Sequence, residues 1–511
     1  MRIGIYDRFW STAGGGERVA AGMAEALAGD HDVELIGYEP VDLADLSGRL
    51  NVDLSGVGVR VVPEEPRSVE WASGDYDVFV NATYTSATRN RADRGIYYVH
   101  FPSPLGGPPR WLEAVLRGVG PLVRLGEGGS VVVDRRSGFH STESLLWREG
   151  AWTSGEAVVG VSLPVGRRSR VGVDVARIMP EGRDHVGVEV AVDGGAPTTL
   201  DVTPVASKLH RRIATAWVDV VGRGADDPVE IRIRTDHRVK AGSRRIGAAI
   251  VGIRVGRGLR SRLRAWYPST FDDRPRTAFL DSYDSVLSNS EYTATFVRDM
   301  WHRDSEVLHP PVTSYRAGEK RPVILSVGRF FAAESGHSKK QLELVDGFRR
   351  LLAGGVSGWE LHLAGGVDSD GRDYFEAVTD AADGLPVVLH PNATGDELAE
   401  LYAMASIYWH ATGLGEDPRA HPDRFEHFGI TTVEAMSAGA VPVVIGAAGQ
   451  LETVQHGVTG YHWTSLDQLV GLTAGLVDDE VRRLELSDAA RDAARRDSPE
   501  RFRSRFRKHV S

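Results

Sequence analysis

The chain contains no cysteine. Disulfides and thiolate metal sites are thereby excluded, although cysteine-free composition leaves the compartment open. It also lacks an excess of positive charge. The formal net charge is −10, which argues against a general nucleic-acid binder. No stretch is both apolar enough and long enough to cross a bilayer. The start, MRIGIYDRF, runs directly into strand-like sequence without a charged-then-apolar leader, so a cytoplasmic protein is expected. The histidines are scattered without ligand spacing, and no metal site is expected.

The chain does have length: 511 residues, enough for two or three domains. Hydrophobic residues make up 41% and charged residues 25%, ordinary for a globular protein. Its texture changes twice. Residues 1 to about 120 alternate short apolar runs with helical stretches: RIGIY (2–6), GERVAAGMAEALAG (16–29), DVELIGY (32–38), DVFVNAT (77–83) and GIYYVHFP (95–102). Strand–helix alternation predicts a parallel sheet with crossover helices. Between about 126 and 256 the helical period mostly vanishes. Alternating runs such as RVGVDVARI (170–178), VGVEVAVDGG (186–195) and VEIRIRT (229–235) take over, separated by Gly, Pro and Asp turns. That pattern predicts an antiparallel β-sandwich, inserted because α/β texture resumes at SYDSVLSNSEYTATFVRDMW (282–301). A second strand–helix series starts near 320. Two α/β halves imply a cleft, with ligands beyond the carboxyl ends of the strands.

The stretch RFEHFGITTVEAMSAG (424–439) carries the most chemistry. The spacing predicts a helix from Ile430 to Ala438, with Gly439 as its stop and Pro442 just beyond. The free N–H groups around Gly429 to Thr431 would form an anion site suited to phosphate. Glu434, about one turn further in, could accept two hydrogen bonds from a vicinal diol such as ribose. Glu426, on the preceding loop, could reach hydroxyls beyond the phosphates. A nucleotide-sugar satisfies all three.

E-H-F-G-I-x-x-V-E-A-M-x-x-G-x-V-P-V-V resembles the E-x7-E motif of retaining nucleotide-sugar glycosyltransferases of family 4 (group 1). The resemblance implies a GT-B fold: two Rossmann-like α/β domains, here with the all-β sandwich inserted in the first. LSVGRFFAAESGHSKKQLELVDGF (325–348) is similar to the family's G-R…K segment, which implies that Arg329 and Lys339 grip the donor diphosphate. Two cations and a helix start can neutralise a departing diphosphate without a metal. Lys339 keeps the family's spacing, and Lys340 is expected to be a solvated lysine at the helix start. Phe428, Gly429, Ile430 and Thr431 belong to the same donor site by this resemblance. GQLETVQHGVTGYHW (449–463) is similar to the next family segment and reads mostly as structural punctuation. NATGDELAELYAMA (392–405) falls where the family cradles the nucleobase with backbone atoms.

In the first half, STAGGGERVA (11–20) follows strand one and opens a helix, and a triple glycine permits close approach to the backbone. By resemblance, Gly14, Gly15 and Gly16 lie near the transferred sugar and phosphates. YYVHFP (97–102) is similar to a segment of the eukaryotic mannosyltransferases that extend dolichol-pyrophosphate oligosaccharides, which implies that His100 lies at the transfer centre. The closing SPERFRSRFRKHV (498–510) resembles the family's F-x-x-x-F helix.

Three features stand outside this pattern. Asp368-Ser369-Asp370 mimics a D-x-D metal motif in the wrong architecture and reads as a solvated loop. Trp147 and Trp152 in the insert read as core, with sugar stacking as the sharper alternative. Leu259, Leu263, Trp266 and Tyr267 share a helical face flanked by Arg257, Arg260, Arg262 and Arg264. That basic amphipathic pattern over 257–267 suits an anionic membrane surface or a domain-packed helix.

The expected domains are 1–125 plus 257–315 (N-terminal, acceptor), 126–256 (insert), 316–490 (donor) and 491–511 (closing helix). The expected activity is retaining transfer of a hexose, GDP-mannose being the first guess for the donor. The acceptor is a growing, lipid-linked, cell-surface glycan. Glu426 and His100 are the catalytic candidates. No cofactor and no metal are expected, since the nucleotide-sugar is a substrate. The alternatives are a sugar-nucleotide 2-epimerase of the same architecture and a non-catalytic glycan binder acting through the insert. The first would convert donor without acceptor; the second would bind glycan but no nucleotide-sugar.

Overall fold

A computed structural model describes residues 1–64, 68–84, 86–102, 132–139, 143–145, 148–178, 185–203, 213–241, 244–256, 277, 279–331, 338–367, 371–419 and 421–510. The chain divides into two compact units. One comprises Met1–Val61, Ala72–Ser103 and Leu280–Ser511; the other comprises Val62–Trp71 and Pro104–Phe279.

The first unit contains two parallel sheets. The seven-stranded one runs in the order Glu306–Val307, Ser285–Ser288, Arg94–Val99, Val78–Asn81, Arg2–Tyr6, Asp32–Gly37, Val57–Val61. The six-stranded one runs Val387–Pro391, Glu360–Gly365, Arg321–Val327, Ala405–His410, Val441–Ile445, Tyr461–Trp463. The central strands are apolar on successive residues because helices cover both faces. In the six-stranded sheet, Leu361, Val441 and Val443 pack with Leu344 and Phe348 on one side. Leu325 and Val444 pack with Val433 and Met436 on the other. The C-terminal helix Pro499–Val510 presents Phe502, Phe506 and Val510 every fourth residue, and all three enter the core of the seven-stranded sheet beside Ile3 and Met23.

A polar contact also joins the two halves of this unit. Glu452, on the short helix Gln450–Thr453, accepts the backbone N–H groups of Glu291 (2.8 Å) and Tyr292 (2.7 Å). These are the first two positions of the helix Glu291–Trp301, whose N-cap Ser290 accepts only the N–H of Thr293. The carboxylate thus serves as a cap supplied from a distant segment. Glu452→Ala is expected to cost about 1–2 kcal/mol, read as a lower midpoint in urea at unchanged slope. An unchanged midpoint would show that water replaces the cap.

Among the described residues the second unit is built mainly of β-strands, apart from the start of the short helix Ser68–Ser73. Nine of its strands form one antiparallel sheet in the order Thr198–Val202, Val186–Val192, Gly224–Thr235, Arg148–Leu163, Ala249–Val255, Arg168–Ala176, Ile213–Val221, with Val132–Phe139 and Glu143–Leu145 also paired to the long strand, and Val239–Ala241 and Arg244–Ile246 form a separate two-stranded sheet. That long strand pairs with Gly224–Thr235 through its second half and with Ala249–Val255 through Ala151 and Trp152. Val159, Val173, Val188, Val218 and Ile231 come from both ends of the path yet share one core, so the sheet folds back over itself. Alternate β-branched residues supply that core. The turn at Asp193-Gly194 has both residues at positive φ (47° and 76°) and opens the connection that runs on to Thr198, where pairing resumes. Trp152 is 9% exposed and packs against Ala176, Ile246, Ala249 and Val251, so it belongs to core. Trp147, the basic stretch 257–267 and Asp368-Ser369-Asp370 lie outside the described residues. Among the described residues no helix is long and apolar enough to cross a membrane, and no group of acidic and histidine side chains forms a metal cluster.

Candidate active site

The helix predicted near Gly429 is present as Ile430–Ser437. Gly429 is its N-cap at φ +100°, and a methyl group there would lie 2.5 Å from Gln450 Nε2. Only glycine meets both conditions. The first N–H groups of the helix have no intrahelical acceptor and carry the positive end of its dipole. Thr431 is positioned from the strand Ala405–His410, whose Tyr408 hydroxyl donates to Thr431 Oγ1 at 2.8 Å.

Glu426 lies before this helix and is no isolated carboxylate. Lys339 Nζ lies 2.6 Å from its Oε2, and His410 Nε2 lies 3.2 Å from the same oxygen. The side chains of Glu426 and Lys339 are 17% and 18% exposed. Because a carboxylate accepts, His410 must carry its proton on Nε2. Its Nδ1 is buried without a partner. Burial holds His410 below the ordinary histidine value of 6.5, outweighing its hydrogen bond to Glu426 and that carboxylate's charge, which raise it, and Lys339 lowers it further.

This shift has a stability consequence. The folded protein keeps His410 neutral where the unfolded chain would protonate it. Stability from this site is therefore full above pH 6.5 and is lost as pH falls from 6.5 through the lower folded value. In His410→Gln that acid-side loss should shrink, as read by urea unfolding from about pH 5 to about pH 7.5. Equal acid dependence in both proteins would refute the assignment. His100 is depressed by burial in the same sense, and its contribution cancels in the difference.

The sequence-selected residues of the first half come to the same place. A methyl group on Gly14 would sit 3.4 Å from Arg329 Nη2, one on Gly15 would sit 3.4 Å from Ile430 Cδ1, and one on Gly16 would sit 3.5 Å from His100 Nε2. Gly14 has an ordinary extended conformation, so its glycine answers to close approach and not to backbone strain. Glu17 anchors the loop by accepting the Gly14 N–H. His100 follows the strand Arg94–Val99 and donates through Nε2 to the Ala82 carbonyl at 2.6 Å, which leaves Nδ1 as an acceptor in the neutral ring. The guanidinium of Arg329 is exposed, with its stem against Gly366, and has no acidic partner among the described residues.

Two expected residues sit deeper than the sequence suggested. Glu434 is buried, and the Tyr402 hydroxyl donates to its Oε2 at 2.9 Å. Burial pushes its carboxyl up, against the lowering effects of Arg18 and the Tyr402 bond. Phe428 is also buried, against the His309 ring. The expectation for Lys340 is corrected: it is 8% exposed, not solvated, and pairs with Glu416 at 3.1 Å, which also holds Arg424. A lysine at a positive-φ N-cap, turned inward to a carboxylate distant in sequence, leaves no local signature.

Sequence reasoning missed His410, whose position at a strand's carboxyl end was the same signal that singled out His100. It also missed the stack of His427 on Phe101 (4.1 Å between centroids), which brings the residue after Glu426 against the residue after His100. Gln450, fully buried and donating to Thr432 Oγ1, braces the helix start.

Two parallel α/β sheets whose carboxyl-end loops bring a cation–carboxylate pair, a helix start and a glycine loop together define the GT-B class of glycosyltransferases. Residues 313–496 match the family "Glycosyl transferases group 1", so this part of the chain is a group 1 glycosyltransferase domain. Over 254 residues the chain is 27% identical to a GDP-Man:Man(3)GlcNAc(2)-PP-Dol alpha-1,2-mannosyltransferase of Dictyostelium discoideum, covering 44% of this chain and 46% of that protein. Over 313 residues it is 27% identical to a GDP-mannose-dependent alpha-(1-6)-phosphatidylinositol monomannoside mannosyltransferase of Mycobacterium tuberculosis, covering 58% of this chain and 74% of the relative. The chain thus spans about half the length of the first relative and three-quarters of the second. Among solved structures it is similar in fold to Anabaena HepE in complex with UDP and glucose (TM-score 0.53, 12% identity, 100% of this chain and 99% of the other). Sucrose-phosphate synthase from Thermosynechococcus elongatus is equally similar (TM-score 0.53, 13%, 100% and 98%).

Proposed function

We propose that the protein is a retaining hexosyltransferase that moves mannose from GDP-mannose to a growing, lipid-linked glycan. The observation that carries this reading is the Lys339–Glu426–His410 constellation beside the free helix start at Gly429. The guanosine and mannose rest on the likeness to the two GDP-mannose-dependent mannosyltransferases.

In this reading the donor diphosphate lies on the N–H groups of Gly429, Ile430 and Thr431, with Arg329 as a second cation. Lys339 spends one of its three donors on Glu426 and can turn another to the diphosphate, so it couples the leaving group to the sugar site. Glu426, held by Lys339 and His410, positions the sugar hydroxyls and faces the positive charge that develops at the anomeric carbon. Neutral His100 accepts a sugar hydroxyl through Nδ1. The bond from the anomeric carbon to the phosphate oxygen breaks, the acceptor oxygen attacks the same face, and the acceptor proton passes to the leaving phosphate. The cations of the chain suffice for the diphosphate without a metal. Glu434 takes the ribose diol, for which its bond to Tyr402 leaves lone pairs. The domain limits expected from the sequence belong to this reading, with the folded-back β-rich unit as an inserted sandwich. So does peripheral attachment to the inner face of the membrane through 257–267.

The test is a panel of GDP- and UDP-sugars, scored by thermal stabilisation and then by slow release of nucleoside diphosphate. Stabilisation and hydrolysis with GDP-mannose are expected. A response only to UDP-sugars overturns the donor, and no response to any nucleotide-sugar overturns the transferase reading.

A further inference from the structure

The loop that carries Arg329 is held by a residue outside the site described above. Gln341 opens the helix Gln341–Ala353 and is 2% exposed. Its Nε2 donates to two successive backbone carbonyls, those of Gly328 and Arg329, each at 3.1 Å. An amide nitrogen carries two protons, so one atom serves both. The same pair fixes the orientation of the amide, because its oxygen would be repelled by two carbonyls.

The two bonds pin a bend. Along an extended strand successive carbonyls point to opposite sides. Two that converge on one nitrogen mark the place where the chain leaves that geometry. The strand Arg321–Val327 ends just before this place, Arg329 emerges from it exposed, and Phe330 after it is buried again. The surroundings of the bend are tight. The Phe330 N–H donates to the Gly366 carbonyl at 2.9 Å, and a methyl group on Gly365 would collide with the Gly328 carbonyl oxygen. The stem of Lys339 occupies the space of a Gly328 side chain, with its Cγ 2.6 Å from where a methyl group there would lie.

Gln341 leaves its own Oε1 buried without a partner. Buried polar atoms are normally paired, and an apolar side chain would fill this space without an orphaned acceptor. What the amide adds is its grip on the two carbonyls, and through them the direction in which Arg329 leaves the loop.

We propose that Gln341 is a positioning residue for donor binding, which aims the Arg329 guanidinium at the diphosphate. The diphosphate rests on the transferase reading; the hold on the loop rests on the two hydrogen bonds.

The test is equilibrium binding of GDP and UDP to the full chain by calorimetry. Gln341→Met keeps the length of the side chain and removes both donors. It is expected to weaken whichever diphosphate binds by about tenfold, in line with one lost hydrogen bond to a charged group. Because Gln341 acts through Arg329, the double variant Gln341→Met/Arg329→Met should bind no more weakly than Arg329→Met alone. Combined with Glu434→Gln, at the ribose position, the two losses should add. Gln341→Asn, which withdraws the same amide by one methylene, takes the place of Gln341→Met should that variant fail to fold. Undiminished binding in the Gln341 variant overturns the proposal, as does a loss that adds in full to that of Arg329→Met. Equal non-additivity with Glu434→Gln, the mark of a general collapse of the site, overturns it too. All three outcomes leave wild-type binding, and with it the transferase reading, intact. Failure of the wild type to bind either nucleotide overturns both.

Discussion

Glutamine in place of Glu426 is expected to lower the turnover of sugar transfer by about 10²–10³-fold, the usual cost of one preorganised electrostatic contact at a reacting centre. The substitution keeps shape and an acceptor oxygen, so His410 Nε2 can still donate. It removes the charge that faces Lys339 at 2.6 Å and, in the proposed mechanism, the developing positive centre of the sugar. Thermal unfolding should shift little, because both side chains keep some contact with water. Lys339→Met should also be strongly impaired, through weaker donor binding and through the carboxylate left beside a neutral partner. If the two residues act as one unit, the double variant should be little worse than the more damaged single one. Steady-state kinetics with the donor identified by the nucleotide-sugar panel checks this. Near-wild-type turnover in Glu426→Gln would remove Glu426 from the centre.

The second large effect is expected at a glycine outside the glutamate motif. A methyl group on Gly449 would lie 2.2 Å from the His427 carbonyl oxygen and 2.6 Å from the Phe428 Cα. These are backbone atoms and cannot swing aside. Gly449 also donates its N–H to the Glu426 carbonyl at 2.9 Å. Gly449→Ala must therefore displace the loop carrying Glu426, His427 and Phe428. A loss of about 3 kcal/mol is expected, the upper range for overpacking, together with lost activity in the fraction that remains folded. Gly395→Ala is the control: it has no positive φ and nothing within 4 Å of the new methyl group. It should be neutral or stabilising by up to about 1 kcal/mol. Chemical denaturation with parallel activity measurements checks both, and comparable stability of the two variants would refute the steric account.

These residues also mark how far linear reading reached. Strand and helix positions followed from hydrophobic period and from Gly and Pro punctuation, because those signals act over a few residues. Val441–Ile445 and Ile430–Ser437 were legible for that reason. Gly449 was legible only as punctuation, since its role depends on a loop some twenty positions earlier. Lys340 was misread because its carboxylate partner is Glu416, 76 residues away. His410 was passed over because, unlike His100, it lies in no segment that carries the family resemblance, and its strand-end position alone does not set it apart from a packed histidine. Its role appears only when Glu426 folds over it.

The sequence by itself determined the α/β halves, the strand-rich segment between them, the helix start at Gly429, and, through its family resemblance, a short set of charged and glycine residues. Tertiary structure alone decided how those residues are used. It pairs Lys339 with Glu426, buries Glu434 under Tyr402, and lays Gly14–Gly16 against Arg329, Ile430 and His100. The physical reason is range. Backbone propensity and amphipathic period are written in neighbouring residues, whereas hydrogen bonds, ion pairs and burial depend on groups that only folding brings within a few ångströms.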